Sequence, residues 1–173
     1  GFTAVDFLNG KFRREKVFRT NSRVLCMEED GKGGFYVGGY FTFINDTQTM
    51  SLAHLHQDGS IDQLFKFNFR TTNGDGQARF MHKIGDTLLI SGWFDTVNGK
   101  ARKQLCGINL KNRTLMDWSP QTSGAVEAMQ HNMDYVFLAG SIVSYNDLKV
   151  SNFVTLRRQD MSFVHSIGYD SRL

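Results

Sequence analysis

Three stretches decide the fold: VGGYFTFIND (residues 37–46), ISGWFDTVNG (90–99) and LAGSIVSYND (138–147) align without gaps. In each, a glycine (Gly39, Gly92, Gly140) closes an apolar run, and an asparagine (Asn45, Asn98, Asn146) follows six residues later. Each asparagine precedes Asp or Gly, and such pairs take the positive backbone dihedrals of a tight turn at low cost. Seven residues past the asparagine another apolar run is under way, at Leu52, Leu105 and Phe153, with a second apolar residue at Leu55, Ile108 and Leu156. Upstream, a further run ends in methionine in every copy: VLCM at Met27, ARFM at Met81 and VEAM at Met129.

From Gly39 to Gly92 is 53 residues and from Gly92 to Gly140 is 48. Four-stranded propeller blades repeat at that period, whereas stacked helical repeats would show an apolar periodicity of about 3.6, which is absent. Each unit reads as one strand through the Met, a second through FYVGG, TLLISG or VFLAG, a third through the Leu or Phe, and a fourth near Ile61, Met116 or Phe163. Turn signals about ten residues apart separate them, as successive antiparallel strands require. The predicted fold is all-β: a β-propeller arc of about three four-stranded antiparallel blades plus a partial blade. Residues 1–21 form the remnant of a preceding blade, 22–70 blade one, 71–120 blade two and 121–173 blade three, within one propeller domain that this chain leaves incomplete.

The composition agrees. One proline and 17 glycines with 13% aromatic residues, 15 of them Phe, favour short strands and glycine turns over helices. With 40% hydrophobic and 21% charged residues the chain is ordinary globular material, and no apolar run is long enough for a membrane span. Cys26 and Cys106 lie in apolar runs and read as free, small hydrophobes, so a disulfide-stapled fold is excluded. The start at Gly1 points to a piece of a longer chain. The net charge of +3 is concentrated at the N-terminus, where Lys11, Arg13, Arg14, Lys16, Arg19 and Arg23 face only Asp6 and Glu15. A nucleic-acid domain usually spreads basic residues over a whole face, so this segment reads as a solvated strand whose Phe12, Val17 and Phe18 pack inward.

The stretch DGKGGFYVGGYFTFIND followed by SLAHLHQDGSID resembles the bacterial delta-60 repeat of β-propeller proteins, in which a strand ending in Gly-Gly-x-Phe is followed by an Asn turn and a DGS-[IL]-D turn. SGWFDTVNGKARKQLCGINL is similar to a variant of it. In the third copy Ala139 replaces the first glycine, Ile142 the Phe, and RRQD at 157–160 the DGS turn; the resemblance covers roughly residues 22–168, with VDF at 5–7 a faint echo before it. It implies a propeller within a large surface or secreted protein, and no catalytic residues.

Candidate chemistry is sparse. His54 and His56, two apart in a strand, share a face and offer two imidazoles, with Asp58 and Asp62 as possible third ligands; a zinc site needs at least three, and the pair reads as a solvent-facing or inter-blade surface without metal. The DGSID segment reads as turn chemistry, with Asp58 and Ser60 bonding their own backbone. Glu28, Glu29 and Asp30 read as a solvated turn. Tyr40, Trp93 and Trp118 are candidate ligand-contacting aromatics, although aromatics near strand ends commonly fill inter-blade space. The expected function is therefore a non-enzymatic structural or protein-interaction module of a larger surface, adhesive or virion assembly such as a phage tail. It would have no cofactor, and its partners would be other blades, homo-oligomer copies and proteins of the assembly. Against this stand a glycan-acting enzyme, which predicts two carboxylates about 5 to 10 Å apart in a concave site, and a carbohydrate-binding lectin.

Overall fold

The computed structural model describes residues 2–5 and 12–165. All regular structure among them is β, and no helix is long and apolar enough to cross a membrane. Blade one consists of Val24–Glu29, Phe35–Gly39 and Leu52–Leu55, with its fourth strand reduced to a bridge between Leu55 and Ile61. Blade two runs through Gln77–Ile84, Thr87–Trp93, Leu105–Asn109 and Thr114–Leu115 in that spatial order. Blade three repeats it with Val126–His131, Tyr135–Gly140, Phe153–Arg157 and Phe163–His165. All neighbours are antiparallel. The predicted propeller arc is what the chain forms.

The repeated glycines have a common physical cause. The register of the first strand slips opposite each of them, between Val24 and Cys26, Ala78 and Phe80, and Val126 and Ala128. This bulge drives a carbonyl oxygen at the glycine: an added Cβ would lie 2.2 Å from Arg23 O at Gly39, 1.9 Å from Gln77 O at Gly92 and 2.2 Å from Ala125 O at Gly140. No side chain fits there.

The asparagines have a role that spacing alone does not reveal. Asn45, Asn98 and Asn146 sit at φ near 50° in two-residue turns, and each side-chain oxygen accepts a hydrogen bond from the segment entering its blade: Arg19 N at 3.0 Å, Asn68 N at 2.7 Å and Gln121 N at 2.8 Å. The hairpins that carry them add a second small sheet to each blade, as where Thr96–Val97 pairs with both Lys100–Ala101 and Phe69–Thr71. The expected boundary after residue 70 falls inside Phe69–Thr71, a strand held by blade two.

The third copy keeps its turn. Ser162 donates its amide and hydroxyl to Asp160 Oδ1 as Ser60 does to Asp58 Oδ1, and Met161 at φ 60° stands where Gly59 has 88°. The degenerate turn is therefore Asp160-Met161-Ser162, which begins at the last residue of the RRQD stretch and not within it; the buried Met161 side chain offsets the cost of its backbone.

Apolar seams join the blades. Tyr36 and Leu52 of blade one meet Met81, Leu88, Ile90 and Ile108 of blade two; Leu89 and Leu105 meet Met129, Val136, Leu138 and Leu156 of blade three. Hydrogen bonds cross the same seams, from Ser51 Oγ to Gly76 O at 2.6 Å and from Ser91 Oγ to Val126 O at 2.7 Å. Ahead of blade one, Phe2–Val5 pairs with Phe12–Phe18, and the stacked rings of Phe2 and Phe18, 4.8 Å apart, lie against Val37, Ala53 and Leu55. Phe18 packs inward as expected but Val17 is exposed. Phe7 and Lys11 lie outside the described residues, as do the side chains of Phe12, Arg13, Arg14 and Lys16.

Candidate functional site

The most elaborate polar cluster lies between blades one and two, at the end of the strands opposite Gly39. His54, in the third strand of blade one, is fixed on its faces by Tyr36, stacked at 4.5 Å, and by the edge of Phe65 at 5.7 Å. Its Nε2 lies 3.1 Å from Asp30 Oδ2 and its Nδ1 lies 3.2 Å from Asp62 Oδ2. Arg113 of blade two reaches across the seam, with Nη2 3.1 Å from the same Asp62 oxygen. His56 stands edge-on to His54, with ring centroids 4.8 Å apart.

Each aspartate uses one oxygen locally and one at a distance. Asp30 Oδ1 accepts from the amides of Lys32 and Gly34, 2.6 and 2.9 Å away, and holds the turn between the first two strands. Asp62 Oδ1 accepts from Leu64 N at 3.0 Å. Burial pushes both carboxyls up, but the bonds from His54 and the amides, with Arg113 added at Asp62, outweigh it and hold both below the ordinary value of 3.8. The cluster opens into a cleft of about 880 Å³ whose other walls include Tyr36, Phe65, Lys83 and Lys111.

The acidic run is thus only partly the solvated turn it reads as. Asp30 is folded onto His54, and Glu28 faces His82, with Oε1 3.7 Å from Nδ1; only Glu29 is exposed. Asp58 keeps to its own turn, so of the two aspartates in this segment it is Asp62 that bonds His54. The repeat does not demand this arrangement: in blade two the residues in the same ladder positions are Gly107 and Met116, joined by Met116 N donating to Gly107 O at 2.9 Å as Asp62 N does to His54 O. Asp30 and Arg113 are the members that sequence reading passes over; departure from the repeat at His54 and Asp62 is the signal that could have found the pair.

The aromatic candidates separate. Tyr40 and Trp93 occupy equivalent positions one residue past Gly39 and Gly92 and are exposed on the rim opposite the cleft, with Ser141 third. Trp93 lines a small groove with Arg79 and Glu127 at the second seam. Trp118 is half-buried against the core of blade three, filling inter-blade space as Phe65 and Phe67 do at the preceding seam.

Comparison with known proteins gives one family. A model described as a domain of unknown function (DUF5122) β-propeller matches residues 28–65, which lie in blade one and carry Asp30, His54, His56 and Asp62. No curated protein matches the chain. Sequence period, blade geometry and this match agree that the chain is similar to β-propeller proteins.

Proposed function

We propose that this chain is a non-enzymatic structural and protein-interaction module: one arc of a propeller, of the delta-60 type its sequence resembles, within a larger surface, adhesive or virion assembly. The observation that carries the reading is a pair of unfinished seams. Met81 and Met129 are 9% and 6% exposed where each packs on the blade before it, whereas Met27, in the same ladder position of blade one, is 43% exposed. At the other flank Phe137 and Phe153, 6.0 Å apart, stand half-buried where Leu89 and Leu105 of blade two are wholly covered by blade three. Their natural cover is a further blade, because closed propellers hold about four to eight.

The glycan-hydrolase alternative fares worse on electrostatics. Asp30 and Asp62 do converge in a concave site, but both are held low and fully bonded, whereas a general acid needs a raised carboxyl. Tyr40 and Trp93 on the opposite rim supply contact residues for a partner protein, and the two free thiols suit a protein assembled in a reducing compartment.

Sedimentation tests the reading. The chain associates through its flanks into a second arc as concentration rises, and Phe153→Glu returns it to a folded monomer. A wild-type chain that stays monomeric at all concentrations would sink the flank argument, and robust turnover in a glycan and ester library would sink the non-enzymatic one.

A further inference from the structure

We propose that His54, His56 and Asp62 bind a divalent transition-metal ion of the zinc type at the seam of blades one and two, with Asp30 as the carboxylate that orients His54. The ligand atoms these three residues offer all lie within 4.8 Å of one another. His54 Nδ1 and Asp62 Oδ2, 3.2 Å apart, already stand at a separation that an ion about 2.0–2.2 Å from each would span. His56 is exposed and has the freedom to turn its ring inward.

The second carboxylate gives the cluster its direction. Metal-ligating histidines usually donate the other ring N–H to a carboxylate, which fixes the tautomer and the ring. Asp30 Oδ2 stands 3.1 Å from Nε2 in that role, anchored by its own amide bonds. With Nε2–H given to Asp30, Nδ1 and Asp62 Oδ2 stand face to face, and the gap between them is bridged either by a second proton on His54 or by a metal ion that displaces that proton. Arg113 supplies positive charge beside the same oxygen, and its half-exposed side chain can swing away to admit the ion. Imidazole and carboxylate suit zinc and its neighbours in the transition series over calcium or magnesium, which take oxygen-rich shells. Three protein ligands leave the fourth position open toward the cleft, so a carboxylate or imidazole from a docking partner can complete the site.

The test is titration of the untagged chain with Zn²⁺ by calorimetry, and with Co²⁺ by visible absorption, which reports tetrahedral nitrogen and oxygen ligation. One equivalent binds, and Ca²⁺ and Mg²⁺ do not compete. His56→Ala, at an exposed position that leaves the fold intact, abolishes the Co²⁺ bands. Asp30→Asn, which keeps the turn acceptor, weakens Zn²⁺ binding by about 10–100-fold, and Arg113→Ala tightens it. Asp58→Ala changes nothing. No stoichiometric binding, binding indifferent to His56→Ala, or equal affinity for Ca²⁺ overturns the proposal. None of these outcomes bears on sedimentation, so the site and the flank argument fail separately.

Discussion

Asn98 and Asn68 hold each other by two reciprocal bonds: Asn68 N donates to the Asn98 side-chain oxygen at 2.7 Å, and Asn98 N donates to Asn68 O at 2.9 Å. The pair fastens the segment entering blade two to the hairpin that leaves its second strand. Arg19 with Asn45 and Gln121 with Asn146 do the same in the other blades. The asparagine meets two demands at once, since its backbone is in the left-handed region and its side chain is the acceptor.

Two substitutions separate those demands. Asn98→Gly removes only the acceptor and costs about 0.5–1.5 kcal/mol. Asn98→Ala adds the left-handed penalty, about 1–2 kcal/mol more. Urea unfolding followed by circular dichroism measures both; equal losses for the two variants would show that the backbone conformation is not what selects asparagine.

At Gly92 the limit is space. An added Cβ meets Gln77 O at 1.9 Å, and the atom in the way is backbone, which cannot swing aside. Gly92→Ala therefore costs at least about 1–3 kcal/mol through forced displacement of the bulge. A variant with the wild-type denaturant midpoint would mean that the bulge shifts freely.

Acid weakens the first seams in two stages. Burial lowers His82 below its ordinary 6.5, with Glu28 opposing and His131, whose Nδ1 is 2.8 Å from Nε2, adding to the effect. The folded state thus favours the neutral ring, and its contribution, present above 6.5, is lost as pH falls through the lowered value. Asp30 and Asp62, also held low, contribute above 3.8 and are lost in a second, more acidic stage. Thermal midpoints fall between about pH 7 and 5 in the wild type and fall less in His82→Gln. Identical pH profiles for the two proteins contradict this assignment.

The thiols are inert in the fold. Burial pushes both Cys26 and Cys106 up to about 12, so neither offers the reactive thiolate at mildly alkaline pH. A disulfide reagent labels neither thiol at an appreciable rate in the native chain and both after unfolding. Prompt labelling of Cys106 in the native state would contradict the closed second blade.

What the sequence by itself determined was everything that repeats. Strand and turn positions follow from short-range rules, such as an apolar run closed by a glycine and an asparagine before Asp or Gly where the backbone turns left-handed, and each was written three times. Local chemistry was legible too, where Asp58 and Ser60 close their own turn; that Asp30 and Asp62 each commit one oxygen to nearby amides was not. Only the tertiary structure decided that the other oxygen of each goes to His54. Asp30, His54 and Asp62 come from separate turns and strands of blade one and meet only when its strands pair, and Arg113 joins them only when blade two docks on blade one. The exposed flank at Met27 is likewise invisible in a sequence where Met27, Met81 and Met129 look alike, because burial belongs to the neighbour and not to the residue.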